Sequence, residues 1–232
     1  MRYAVFGTGT VGRTVAAKLA LLGHDVTIGT RDPRSTLSRT EPDATGTPPF
    51  AEWGRDHPQV RLAAFADAAA HADVVVNATS GATALAALGL AGAENLEGKP
   101  LLDIANPLDF SRGMPPSLDP VNTDSLGEQI QRAFPAAKVV KTLNTMTAAV
   151  MTDPARVPGE HNVFVSGDDI GAKKTATELL LSFGWPAASI IDLGDITTAR
   201  GTEMLLPIWL RLWGALGHGE FNFHIQGART GA

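Results

Sequence analysis

The chain reads as an α/β protein built on a Rossmann-type, doubly wound, mainly parallel sheet of about eight strands. Three observations predict it. Apolar segments alternate with helical stretches, a glycine-rich loop follows the first apolar segment directly, and the later apolar segments end in small polar residues. Alternating β and α segments bury a parallel sheet between two helical layers. Ligands of such sheets sit beyond the carboxyl ends of the strands.

Taken in order, strands are expected at 2–6, 25–30, 60–63, 73–78, 100–105, 138–144, 162–167 and 189–193. Between the first two, Val11, Val15, Leu19 and Leu22 recur at helical spacing. Two long connections interrupt the rhythm. Residues 32–59 hold five prolines and many small polar residues, with a short helix expected over 50–56. Residues 107–120, PLDFSRGMPPSLDP, follow a strand end directly. Connections of such length in a compact domain are usually functional or mobile. Near the end, EMLLPIWLRLWGALGHGEFNFHI is the most apolar stretch, and Leu205, Ile208, Trp209 and Leu212 are spaced for one helix face, with Pro207 in its first turn or at a kink. That face would cover a second ring, contact a second copy of the chain, or pack on the sheet. The chain is expected to form a single domain, 1–232, of which 195–232 is a C-terminal helical extension.

Composition excludes several function classes. The 232 residues carry a formal charge of −5 with Lys and Arg scattered, so no basic stripe exists to release counterions from a nucleic acid. Cysteine is absent, which removes disulfides, thiolate metal sites and cysteine nucleophiles. No run of about 20 apolar residues and no leader segment is apparent. A soluble cytoplasmic protein without membrane insertion is expected.

Gly7-Thr8-Gly9-Thr10-Val11-Gly12 matches G-x-G-x-x-G in the strand–turn–helix context that gives this pattern meaning. Gly7 would permit the tight turn, Gly9 would let the backbone approach a diphosphate, and Gly12 would let helix and strand pack closely, with the diphosphate on the helix N-terminus. The second strand ends Gly29-Thr30-Arg31, with Arg34 three residues on. A carboxylate there would bond both ribose hydroxyls and repel a 2′-phosphate, whereas a guanidinium does the reverse. Thr30 as a hydroxyl donor, Arg31 and Arg34 therefore point to NADP(H); Asp32, shifted slightly in register, would argue for the unphosphorylated ribose. The only tyrosine, Tyr3, lies inside the first strand, which excludes the Tyr/Lys proton donor of short-chain dehydrogenases. The helical second domain of hydroxyacid dehydrogenases is not expected within these 232 residues. No metal is assigned: Asp168-Asp169 reads as the first turn of a helix, and His24 and His71 read as capping or surface residues.

The remaining strand ends carry a family resemblance. NATSGAT (77–83), IANPLDF (104–110), KTLNTMTAAVM (141–151), VFVSGDDIGAK (163–173) and DLGDITTARGTEMLLPIWLRL (192–212) resemble the F420-dependent NADP oxidoreductase family and the related cytosolic domains of six-transmembrane metalloreductases. The combination of TLNTMTA, VFVSGDD with a following lysine pair and the arginine-bearing DLG segment is more restrictive than the glycine loop. The resemblance covers nearly the whole chain and implies an enzyme that transfers a hydride between NADP(H) and a small-molecule acceptor, either coenzyme F420 or a flavin; a homodimer is expected.

On this chain the resemblance implies dinucleotide contacts at Gly7, Thr8, Gly9, Thr10, Val11, Gly12, Thr30, Arg31 and Arg34. Ala78, Thr79 and Ser80 would border the ribose and diphosphate. Asn106-Pro107 and Asn144-Thr145 would border the nicotinamide, with Asn144 and Thr145 at the reacting end. Asn144 stands where deazaflavin-reducing members can carry His, which leaves a flavin acceptor open. Asn144 also reads as a turn former bonded to its own backbone. Hydride transfer between stacked rings needs positioning more than proton chemistry, which fits the lack of a catalytic triad. A second function class, a non-catalytic NADP(H) sensor or regulatory protein, would differ in having its second-ring slot filled by Met146 or the C-terminal aromatics.

Overall fold

The computed structural model describes residues 1–43 and 46–227; residues 228–232 of the expected C-terminal extension lie outside the described residues. In chain order the elements are β1 (Arg2–Phe6), α1 (Thr10–Leu21), β2 (Asp25–Thr30), α2 (Pro33–Ser38), α3 (Phe50–Asp56), β3 (Arg61–Ala64), α4 (Phe65–His71), β4 (Val74–Asn77), α5 (Gly81–Ala91) and α6 (Ala93–Leu96). They continue with β5 (Pro100–Asp103), β6 (Leu108–Asp109), β7 (Ser117–Leu118), α7 (Leu126–Ala133), β8 (Lys138–Thr142), α8 (Ala148–Thr152), β9 (Val163–Gly167), α9 (Ile170–Phe183), β10 (Ile190–Gly194), α10 (Ala199–Glu203) and α11 (Leu206–Leu216).

Eight strands form one sheet in the order β3-β2-β1-β4-β5-β8-β9-β10. Every neighbouring pair is parallel except β8 with β9. The order reverses between β1 and β4, which opens a crevice at their carboxyl ends. Central strands are buried on both faces, so they read as nearly continuous apolar runs. Tyr3 and Val5 of β1 face the core formed with Val15 and Leu19 of α1, Val150 of α8 and Leu180 of α9. Ala4 and Phe6 face the opposite core, with Ala68 of α4, Leu88 of α5 and Ile130 of α7.

β1, β2 and α3 fall where the sequence predicts them. β4, β5 and β8 stop short of the expected 78, 105 and 144. The residues cut off leave the sheet ladder to line or support the crevice, and β8 is ended by Leu143 with φ 61°. That left-handed conformation is strained for a bulky side chain. The stretch 107–120 folds back as the small antiparallel pair β6–β7, which its prolines hide from pattern reading.

Two helix faces differ from expectation. Leu22 lies beyond the end of α1 and is exposed, while Gly12 and Ala16 join Val15 and Leu19 on the buried side. Around α11, Leu206 and Trp209 are buried, Leu205 and Leu212 are half-buried and Ile208 is exposed, so of the expected face Trp209 is the residue that is fully covered. Pro207 sits in the first turn, where its missing N–H costs nothing. After α11 the chain returns to the start of β9: Asn162 donates its backbone N–H to Phe223 O, and its side-chain oxygen accepts from Ile225 N. Among the described residues no helix is long and apolar enough to cross a membrane.

Candidate functional site

The three glycines of the first loop differ in what a side chain would meet. Gly7 has φ 120°, and a Cβ there would stand 2.5 Å from Ala78 O, so the β1 turn lies directly against the end of β4. A Cβ on Gly12 would stand 2.1 Å from Gly7 O, which is incompatible with the turn. A Cβ on Gly9 would meet nothing within 4 Å. Gly9 also caps α1 without a side-chain hydrogen bond, so first-turn N–H groups of this helix face open space and attract an anion.

Around this loop lies a cleft of about 700 Å³, bordered by Gly7, Thr8 and Gly9, by Gly29 to Asp32 at the end of β2, by Ala78 to Ser80 at the end of β4, and by one side of α5. Thr10 and Val11 form the adjoining first turn of α1. Arg31 lines the cleft, together with Ser35 and Arg39; Arg34 is exposed and stands outside this lining. Asp32 also lines the cleft, and its Oδ1 accepts from Arg34 N (2.9 Å) and Ser35 N (3.2 Å) as the cap of α2.

Thr30 lines the cleft. Its hydroxyl lies 2.9 Å from that of Thr36, where either can donate, and the Thr36 hydroxyl is also 2.9 Å from Asp32 O.

Arg13, one residue beyond the motif, is buried. It donates from Nε to Thr8 O (2.6 Å) and from Nη1 to Pro48 O (2.7 Å), and its guanidinium lies over Phe50 at 5.3 Å. Burial lowers its pKa, with Asp43 opposing. Arg13 thus ties the segment before α3 to the glycine loop, and a second link joins the Thr10 and Thr47 hydroxyls at 3.0 Å.

Asn106, Pro107, Asn144 and Thr145 lie beside the cleft rather than in its lining. Asn106 donates from Nδ2 to Asn144 O (2.8 Å), and Asn144 donates from Nδ2 to Asn106 Oδ1 (3.0 Å). This reciprocal pair replaces the expected bond of Asn144 to its own backbone. Asn144 and Thr145 are buried. Gly81 joins the two groups of residues: a Cβ there would stand 2.0 Å from Asn106 O, so the start of α5 lies directly on the end of β5.

Beneath Asn106 lies Lys141, fully buried between Asp103 and Glu203. Sequence reasoning missed Lys141, as it missed Arg13, Ser35 and Arg39. Met146 is buried in the core, and Trp209 stacks on Phe221 at 5.3 Å. Asp169 caps α9 by accepting from Ala172 N (2.7 Å), as its position after β9 suggests.

Comparisons with known proteins give this geometry a family. Residues 2–107 match the family model described as NADP oxidoreductase, coenzyme F420-dependent. A candidate F420-dependent NADP reductase of Arthrobacter sp. FB24, whose structure is solved, is 66% identical; the match covers 98% of this chain and 100% of that one, with a TM-score of 0.93. F420-dependent NADP reductase of Methanothermobacter marburgensis is 29% identical over 91% of this chain and 92% of its own length. Metalloreductase STEAP3 of Rattus norvegicus is 28% identical over 90% of this chain, which spans 38% of that protein. The chain is an oxidoreductase and belongs to the F420-dependent NADP oxidoreductase family.

Proposed function

We propose that this protein is a cytoplasmic enzyme that binds NADPH across the cleft at the β1–β4 switch and passes its hydride to coenzyme F420, or runs the reverse reaction. The observation that carries the reading is the opening at Gly9: the loop leaves room for a ligand at a helix N-terminus, and the far wall of the same cleft offers Arg31, Ser35 and Arg39, with Asp32 engaged through Oδ1 as the cap of α2. NADPH supplies the hydride.

The protein's own part is to bind and orient. First-turn N–H groups of α1 and the backbone from Gly7 to Gly12 hold the diphosphate, with Arg13 keeping the loop in shape. Arg31, with Ser35 and Arg39 beside it, takes the 2′-phosphate; Arg34 adds charge from outside. Ala78, Thr79 and Ser80 border the ribose and diphosphate. Asn106 and Pro107, with Asn144 and Thr145 behind them, border the nicotinamide, and Asn144 acts by holding the Asn106 amide. Bound there, the nicotinamide would supply hydride chemistry that asks the chain for positioning rather than for an acid or base.

A flavin acceptor is the second reading, favoured by Asn144 at the position where the deazaflavin-reducing pattern can carry His. Residues 1–232 act as one unit in either case. A homodimer is part of the proposal, its contact on the apolar side of α11 where Ile208, Trp213 and Leu216 are exposed.

Mixing the purified protein with NADPH and, separately, F420, FMN or FAD, and following nicotinamide oxidation by absorbance, tests the acceptor. Turnover with F420 alone is expected. Turnover with FMN or FAD alone would favour the second reading, and NADPH that neither binds nor reacts would refute both.

A further inference from the structure

We propose that Lys141 is a positioning residue for the hydride-transfer end of the site, held in place by Glu203 of the C-terminal extension. The inference rests on the reading of the cleft as an NADP(H) site. The Lys141 ammonium has no exposed side-chain surface and directs its bonds to Asp103 Oδ2 (2.7 Å), Glu203 Oε1 (2.7 Å) and Ala105 O (2.5 Å). Three acceptors saturate a group with three protons. Burial alone would lower the Lys141 pKa, but the two carboxylates outweigh it and raise it, so the cation persists.

The bonds lead outward to residues of the site. Asp103 Oδ1 accepts from Asn77 Nδ2 (2.8 Å) and Ala105 N (3.2 Å). Asn77 Oδ1 in turn accepts from the Thr79 hydroxyl (2.7 Å) and Thr79 N (3.3 Å), and Thr79 lines the cleft. Ala105 precedes Asn106, which is paired with Asn144. One ammonium therefore fixes the ends of β4 and β5, and through Asn106 the turn after β8.

Glu203 anchors the other side, accepting from Leu126 N (2.9 Å) and Gly127 N (3.1 Å) at the start of α7. A buried ionic cluster is often no more stable than an apolar replacement, so fold stability alone does not account for it. The positions of Thr79 and Asn106 do, because a small misplacement remote from the reacting atoms can slow a reaction severely.

Asp103→Asn and Glu203→Gln test this, since each leaves Lys141 one carboxylate. The readouts are thermal stability, NADPH affinity, the emission of the bound dihydronicotinamide ring, and the rate of NADPH oxidation by F420. For Asp103→Asn we expect NADPH affinity within about threefold of wild type, an emission enhancement altered by about twofold, and oxidation slowed about tenfold or more. Glu203→Gln should change the same readouts in the same direction, by less.

Wild-type emission and rate in a folded, NADPH-saturated Asp103→Asn protein would overturn the inference. So would parallel loss of fold and NADPH affinity in both variants, which is the mark of a scaffold role. If Asp103→Asn does not fold, Glu203→Gln decides by the same readouts. Failure of the wild-type protein to bind NADPH would instead refute the reading of the site.

Discussion

At the β1–β2 side of the site the chain offers backbone N–H groups and exposed guanidinium groups, and the space beside Gly9 is open. At the β5–β8 side, Asn106, Asn144 and Lys141 already bond to one another or to neighbouring groups, and the last two are buried. The first side leaves room and donor groups for a ligand; the second has its polar groups partnered within the chain. On the proposed function, affinity and orientation belong to different parts of the fold, and substitutions on the two sides should fail differently.

The largest effect expected is that of Gly12→Ala, which tests whether the open side is rigid. Its Cβ would overlap Gly7 O at 2.1 Å, and we expect a loss of about 3 kcal/mol or more in stability, measured by chemical denaturation. Gly9→Val should separate binding from folding: NADPH affinity falls about 100-fold or more, because the side chain fills the space a diphosphate needs, while the melting temperature holds. Wild-type affinity in that variant would mean that the loop is not the cradle.

Arg31→Asp should weaken NADPH by about 1.5–3 kcal/mol, the scale of a lost charged hydrogen bond plus repulsion, and leave NADH nearly unchanged in parallel titrations. Equal losses for both would refute the 2′-phosphate role. On the closed side, Asn144→Ala leaves Asn106 Oδ1 without its donor and should cost about 1 kcal/mol of stability in the unfolding midpoint. It should also slow turnover more than it weakens NADPH binding, the reverse of the Arg31→Asp pattern.

The same contrast explains what could be read from the sequence. Gly7, Gly9 and Gly12 announce themselves because a phosphate loop is a local arrangement of backbone, and β1, β2 and α3 are set by short-range patterning. Ser35 and Arg39 escaped because their approach to the cleft depends on α2, a helix signalled only by Asp32 as cap and Pro33 in the first turn. The contact between the Thr30 and Thr36 hydroxyls depends on that same helix.

Lys141 is tied to Asp103 across 38 positions, and a pair so distant has no local signature. Its one available trace was a cation within the otherwise apolar approach of β8, between Val140 and Thr142. Asn106 with Asn144 is another pair of this kind: each residue type suits a turn, and only the folded chain shows that each completes the other.

Gly9 has a last implication, for the balance between stability and activity. Its φ of −79° and ψ of −176° suit any residue, and its missing side chain improves no contact within the protein. A glycine in such a position gives the unfolded chain extra conformational freedom, and replacing it by alanine at a compatible site typically adds about 0.4–1 kcal/mol. Gly9→Ala should therefore raise the melting temperature slightly even as it impairs NADPH binding. The molecule forgoes that stability to maintain an unfilled volume, a trade-off set at one residue by the needs of a visitor rather than of the fold.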